Sequence, residues 1–244
     1  MAVTKDKLLG GRVTIHQPRK GYRVAIDPVL LAAAVKCRPD MSILDLGIGT
    51  GAVSLCLKAR EPSCRVTGLD NNPEYLALAR ASFAENGMEA QLIEGDLEAP
   101  PAALPEASFD TVVANPPYYD EKAYSASPNK GKSGAHAAVA SFASWAAAAR
   151  RFLRKNGNFY VIFPAANEKS FVLTLEAHFS EISLIRLIPK AETPPKRLIA
   201  IATSQKATRT AVREGGSLTL HLPNGNYTPE AHGILWDAKP LASI

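Results

Sequence analysis

Residues 43–51 read ILDLGIGTG: an apolar run broken by one acid, then glycines on alternate positions, then the helix-like stretch Ala52–Arg60. A buried strand that turns through glycines straight into a helix is the opening of a strand–helix–strand unit, which restricts the chain to few architectures. Gly47, Gly49 and Gly51 let the backbone approach a ligand at a helix N-terminus. Their spacing is not the dinucleotide fingerprint G-x-G-x-x-G, and no Lys-Ser/Thr pair follows to make a phosphate-binding P-loop.

The rest of the chain keeps the alternation. Strands are expected at Ser42–Leu46, Arg65–Leu69, Ala90–Ile93, Thr111–Ala114 and Asn158–Phe163. Helices are expected over Ala52–Arg60, ended by Pro62, and from Pro73 to about Asn86, stopped by Gly87. A further helix spans Val139–Leu153, with Phe142, Trp145, Ala149 and Phe152 as its core face. Later, Glu181–Ile188 and Leu198–Thr203 read as an antiparallel pair joined by AETPPKR and finishing the sheet. Ser217–Leu222 and Thr228–Leu235 read as a last strand and helix, with Thr228 as N-cap and Pro229 at the first helical position. The start is expected to form a hairpin (Gly11–Val24) and a helix (Pro28–Cys37). The fold class is therefore α/β, Rossmann-like, with a doubly wound, mostly parallel sheet and an antiparallel C-terminal strand pair. The expected division is a segment 1–40 packed on the core, a catalytic domain over 41–205 and an appendage of that domain over 206–244.

With 244 residues, 46% of them hydrophobic, the chain is long enough for one large core. No window approaches a membrane span, and MAVTKDKLLGGRV does not read as a signal peptide. Cys37, Cys56 and Cys64 are odd in number and lack metal-ligand spacing, so no metal site is expected and a reduced, cytoplasmic setting is. The formal net charge of +5 mildly favours a polyanionic partner.

Three acids fall at three successive strand ends. Asp45 is placed to receive a ligand's ammonium group, Asp70 to accept from both hydroxyls of a ribose, and Asp96 to accept from an adenine's exocyclic amine. Asn71 and Leu97, beside two of these acids, are assigned to the same site. An amino-acid-bearing adenosine satisfies all three acids, so S-adenosylmethionine is the expected cofactor and S-adenosylhomocysteine its product.

The fourth strand runs into Asn115, Pro116, Pro117, Tyr118 and Tyr119 in VVANPPYY. Pro116 restricts Asn115 to extended backbone, and each proline keeps its carbonyl while losing its donor. The Asn115 side-chain oxygen and the Pro116 carbonyl then form two acceptors at set positions, suited to a planar NH2 group. Holding both N–H bonds favours pyramidalisation and frees the nitrogen lone pair to attack a sulfonium methyl. Tyr118 is expected to stack on the flat substrate group, with Tyr119 beside it.

ILDLGIGTG, Asp70, Asp96 and the NPPY at 115–118 resemble the class I S-adenosylmethionine-dependent methyltransferases that modify nitrogens conjugated to a π system. More narrowly, YRVAIDPVLLAAAV (22–35) is similar to the N-terminal segment of the bacterial tRNA(Val) adenine-N6 methyltransferase family, whose Asp-x-x-Leu-Leu stretch helps close the cofactor site. The resemblance gives that place to Asp27. SGAHAAV (133–139) is similar to the family's Arg-His-Glu loop, with an alanine on each side of His136, and LTLHLPNGNYTPEA (218–231) resembles its ending.

An RNA partner, tRNA above all, is expected to be held by loop cations: Lys130 and Lys132 after NPPYYD, and Lys196 and Arg197 in the late turn. His136 is expected near the substrate, fixing its loop more than contacting RNA. The target adenine would be splayed into the pocket beside Tyr118. Neither a membrane nor an obligate protein partner is expected. Three readings compete: adenine-N6 methylation of RNA in a tRNA anticodon loop (with rRNA or DNA as other adenine substrates), glutamine-amide methylation of a protein such as a release factor, and a non-catalytic cofactor- or RNA-binding protein. The glutamine enzymes carry a sizeable helical domain ahead of the cofactor half, whereas about 40 residues precede Ser42 here.

Overall fold

The structure, a computed structural model, describes residues 2–20, 23–117, 141–204 and 210–242. It begins with an antiparallel hairpin of β1 (Val3–Leu8) and β2 (Val13–Pro18), followed by α1 (Asp27–Ala34). The alternating half comprises β3 (Ser42–Leu46), α2 (Ala52–Arg60), β4 (Arg65–Asp70), α3 (Pro73–Glu85), β5 (Gln91–Glu94) and β6 (Phe109–Ala114). Beyond 140 come α4 (Phe142–Phe152), β7 (Leu153–Pro164), α5 (Glu168–Glu176), β8 (Glu181–Lys190), β9 (Arg197–Thr203), β10 (Ala211–His221) and α6 (Pro229–Trp236).

Eight strands form one sheet in the order β10-β8-β9-β7-β6-β3-β4-β5. The fold is Rossmann-like α/β. β9 is antiparallel to β7 and β8, whereas every other neighbouring pair is parallel. The expected antiparallel pair is present, but it does not finish the sheet. β9 inserts between β7 and β8, and β10 adds an edge beyond β8. Both faces of the central strands are buried, so successive residues go to opposite cores: Ile43 and Val113 pack on the α1 side, Leu44 and Val112 on the α4 side.

Local chemistry sets the helix ends. Asn72 caps α3 by accepting from the Glu74 and Tyr75 N–H groups, and Pro73 follows it. Gly87 ends the helix at φ +62°. The Thr228 hydroxyl accepts from the Ala231 N–H at 3.2 Å, as expected for α6. In α4, Trp145, Ala149 and Phe152 are buried, and Phe142 stacks on Phe171 with centroids 3.9 Å apart. The expected first turn of that helix at 139–140 lies outside the described residues.

The hairpin was misplaced by the sequence reading. Its strands flank Leu9–Gly11, and Gly10 and Gly11 (φ +61° and +96°) form the turn rather than the start of a strand. It stays outside the large sheet and docks on α3, where Thr14 N–H donates to Asn86 Oδ1 and His16 N–H to Ser82 Oγ, both at 2.9 Å. α1 ends at Ala34, short of the expected Cys37, because Val35 is already extended. β10 begins at Ala211, well before Ser217, and carries a bulge between Glu214 and Gly216.

Candidate active site

The glycine loop leaves β3 at Leu46 and enters α2 at Ala52, with Gly47, Gly49 and Gly51 all at positive φ. A Cβ on Gly47 would collide with the indole of Trp145. A Cβ on Gly49 would project into open space, with only the Gly47 carbonyl nearby at 3.9 Å. The loop is tied to β4 by two bonds: Ile48 N–H donates to the Leu69 carbonyl at 3.0 Å, and Gly49 N–H to Asp70 Oδ2 at 2.8 Å.

Asp45 is 2% exposed. Its Oδ2 accepts from the Ser54 hydroxyl at 2.6 Å. Burial pushes its carboxyl up to about 7, with the Asp70 charge adding to the rise and the Ser54 bonds opposing it. Burial also raises Asp70, opposed by N–H donors from Asn72, Gly49 and Asn71. Asp70 Oδ1 accepts from Asn72 N–H at 2.8 Å, so each carboxylate oxygen already has a backbone donor. Asn71 is exposed. Asp96 lies two residues past β5, not at its end; it is exposed, and its Oδ1 accepts from Glu98 N–H at 2.8 Å. Leu97 packs on the α4-side core. Glu98 in turn accepts from the Ser144 hydroxyl at 2.5 Å, tying this loop to the first turn of α4.

Asn115 follows β6 directly and is half-buried; Pro116 is buried and Pro117 exposed. A narrow cleft of about 60 Å³ gathers Asp45, Gly47, Gly49 and Asn115, with Val24, Pro28 and Tyr75 among its walls. Cofactor and acceptor residues expected from separate motifs thus share one cavity, whereas Asp27, Gly51, Asp70, Asn71, Asp96 and Leu97 do not line it. A wider groove of about 800 Å³ at the starts of β4 and β5, bordered by Lys58, Arg65 and Arg80, contains none of the expected site residues. The residues singled out by the sequence motifs converge in the narrower cleft, not in this groove.

Tyr118, Tyr119, Lys130, Lys132 and His136 lie outside the described residues. Lys196 is exposed in the turn between β8 and β9. Arg197, expected to hold RNA, directs its Nε at Asp27 Oδ2, 2.9 Å away. Two cations near the start of the chain are also paired with acids, Lys5 with Glu85 at 2.8 Å and Arg23 with Asp6 at 2.9 Å. Sequence reasoning missed Ser54, Tyr75 and Trp145 as parts of the site. Ser54 carried a signal, since it is a lone hydroxyl in the apolar run AVSLCL one turn into the helix after the glycines. Among the described residues, no three His, Cys, Asp or Glu side chains converge to hold a metal, and no helix is long and apolar enough to cross a membrane.

A family model described as Methyltransferase small domain matches residues 24–187. A tRNA1(Val) (adenine(37)-N6)-methyltransferase of Phocaeicola vulgatus is 31% identical over 190 residues, covering 76% of this chain and 79% of that protein. A release factor glutamine methyltransferase of Deinococcus radiodurans is 43% identical over 76 residues, 31% of this chain and 26% of that one. Among solved structures, a predicted O-methyltransferase from Agrobacterium tumefaciens superposes with TM-score 0.71 at 21% identity, covering 88% of this chain and 97% of that one. That likeness is one of fold.

Proposed function

The chain belongs to the Methyltransferase small domain family, and from that premise we propose that it moves a methyl group from S-adenosylmethionine to the exocyclic N6 of an adenine in RNA, in a tRNA anticodon loop of the tRNA(Val) type. The observation that carries this reading is the cleft that brings Asn115, next to Pro116, against Asp45 and the glycine loop.

The residues present fit the donor. Asp45 is a buried carboxylate whose side-chain partner is a neutral hydroxyl, an arrangement that a cationic amino group would complete. The open space over Gly49 admits a ligand against the backbone. Asp45 would hold the donor's ammonium, Asp70 its ribose hydroxyls and Asp96, at the exposed rim, its adenine amine. S-adenosylmethionine supplies, when bound, an electrophilic methyl group on a sulfonium.

Asn115 and the Pro116 carbonyl accept from the two N–H groups of the target amine and orient its lone pair toward the cleft. Transfer makes one N–C bond as the S–C bond breaks, and the excess proton leaves the alkylated nitrogen to water. No general base is needed, so positioning and transition-state electrostatics carry the rate.

The relatives named for tRNA(Val) adenine support this substrate by coverage, since the one from Phocaeicola vulgatus matches over 76% of this chain. Glutamine-amide methylation is the second reading. It is favoured by the higher identity to the Deinococcus protein, but that match covers 31% of this chain. The test is transfer of labelled methyl to total tRNA from a strain lacking this protein, followed by nucleoside mass spectrometry. N6-methyladenosine in a single tRNA species is expected. Label on a protein glutamine, with none on tRNA, would replace the first reading by the second.

A further inference from the structure

Asp27 and Arg197 are separated by 170 positions in sequence and by 2.9 Å in space. Topology brings them together. β9 runs against its neighbours, so its first residue is delivered to the carboxyl ends of the parallel strands, opposite Pro164 at the end of β7. Asp27 is the first residue of α1. Pro28, the next residue, and Val24, three before, wall the cleft that holds Asp45, Gly49 and Asn115.

The strap over residues 23–28 is therefore pinned at two points. Val24 N–H donates to the side-chain oxygen of the buried Gln17 at 2.8 Å, and Asp27 is gripped by Arg197. The pair is partly buried, with side chains 19% and 36% exposed, so it is screened less than an ordinary surface pair. Asp27 also sits at the N-terminus of its own helix, where a carboxylate is already favoured. The helix does not need Arg197 in order to form. The guanidinium adds a fixed position for the strap relative to β9, and a wall held in place spares an incoming ligand the cost of ordering it.

We propose that Arg197 is a positioning residue for the methyl donor: acting through Asp27, it holds the 23–28 strap against the cleft and so sets the affinity for S-adenosylmethionine. This rests on the reading of the cleft as the donor site, and it moves Arg197 from the RNA surface to the donor side of the reaction.

The test is titration calorimetry of S-adenosylmethionine alone into the full chain and into Arg197→Met, Arg197→Lys, Asp27→Asn and the Arg197→Met/Asp27→Asn double variant. Arg197→Met and Asp27→Asn should each raise the donor Kd about tenfold, the equivalent of about 1.4 kcal/mol. The double variant should be no worse than either single one, because both remove the same contact. Arg197→Lys keeps the charge without the planar fork and should recover part of the loss, which a variant that merely misfolds would not. In turnover with tRNA the defect should appear in KM for the donor, with kcat changed by less than about twofold. An unchanged donor Kd in Arg197→Met with a raised KM for RNA would overturn the proposal and return Arg197 to phosphate contact. Additive losses in the double variant would overturn it equally. If the unmodified chain bound no S-adenosylmethionine, the donor assignment would fall and the strap with it; normal binding by every variant would remove the strap alone.

Discussion

The indole of Trp145 lies against the α-carbon of Gly47, so close that a methyl group on that carbon would overlap the ring. α4 thereby holds down the first turn of the glycine loop from the opposite side of the sheet to α2. Trp145 is 6% exposed and belongs to the α4-side core, so the loop is supported by packing as well as by its bonds to β4.

Gly47→Ala should be costly for two independent reasons, the positive φ and the collision with Trp145. A non-glycine residue held in that region costs on the order of 1–3 kcal/mol. At roughly 2–4 °C per kcal/mol for a chain of this size, the backbone part alone lowers Tm by roughly 2–12 °C. Thermal melts of a double-mutant cycle with Trp145→Ala would separate the two. The pair should be more stable than the sum of the single losses if the steric contact is real.

Asp45 should make donor binding depend on pH. Its folded pKa lies near 7 and its ordinary value near 3.8, so the unfolded chain gives up this proton first as pH rises. Stability from this group is full below about pH 4, falls as pH rises toward 7, and is flat above. Donor affinity runs the other way: the Kd should fall as pH rises through about 7, because the ammonium needs the ionised carboxylate. Asp45→Asn should flatten both profiles, and Ser54→Ala should move the midpoint upward, as read by calorimetry across pH 6–8.

Asn115→Ala should remove one of the two acceptors and lower single-turnover transfer by about 10²-fold or more. The donor Kd should stay within a few-fold of the unmodified chain. Loss of donor binding instead would assign Asn115 to the donor rather than to the target amine.

Asp70 anchors the loop through Gly49 N–H and is proposed to accept from the donor's ribose, so its removal should act twice. Asp70→Ala should raise the donor Kd at least about tenfold and lower Tm by a few degrees, in line with losing a hydrogen bond to a charged group. A lowered Tm with an unchanged donor Kd would reject the ribose contact and leave Asp70 as a loop anchor.

Much of this site was legible because its parts are local. Ser42–Leu46 and Ala52–Arg60 fall at their expected bounds, since apolar runs between glycine and proline punctuation leave little freedom. The core face of α4 was readable from its period, but not that Trp145 would rest on Gly47, ninety-eight positions earlier in the chain. The first strand of the hairpin escaped because VTKDKL alternates with few apolar residues, and it exposes every second side chain to solvent. The pairing of Asp27 with Arg197 escaped for a topological reason. Its antiparallel pairing with β8 was expected, but nothing in RLIAIAT says that the strand sits between two that precede it. Read locally, an arginine in a polar turn is a candidate phosphate ligand; the sheet also sets this one against an acid.

The inserted position of β9 also bears on how the molecule is made. β7 and β8 emerge from the ribosome before the strand that must lie between them, so the sheet cannot grow in the order of synthesis. The turn joining β8 to β9 is short, and a local hairpin closes faster than a distant pairing. The two strands should therefore zip together first and dock on β7 as a unit. Until they dock, a nascent chain already carries Asp45, the glycine loop and Asn115, but Asp27 has no Arg197 to hold it. With the role proposed for Arg197, the cleft is among the last features to mature, and a chain stalled before its final third should bind the methyl donor poorly.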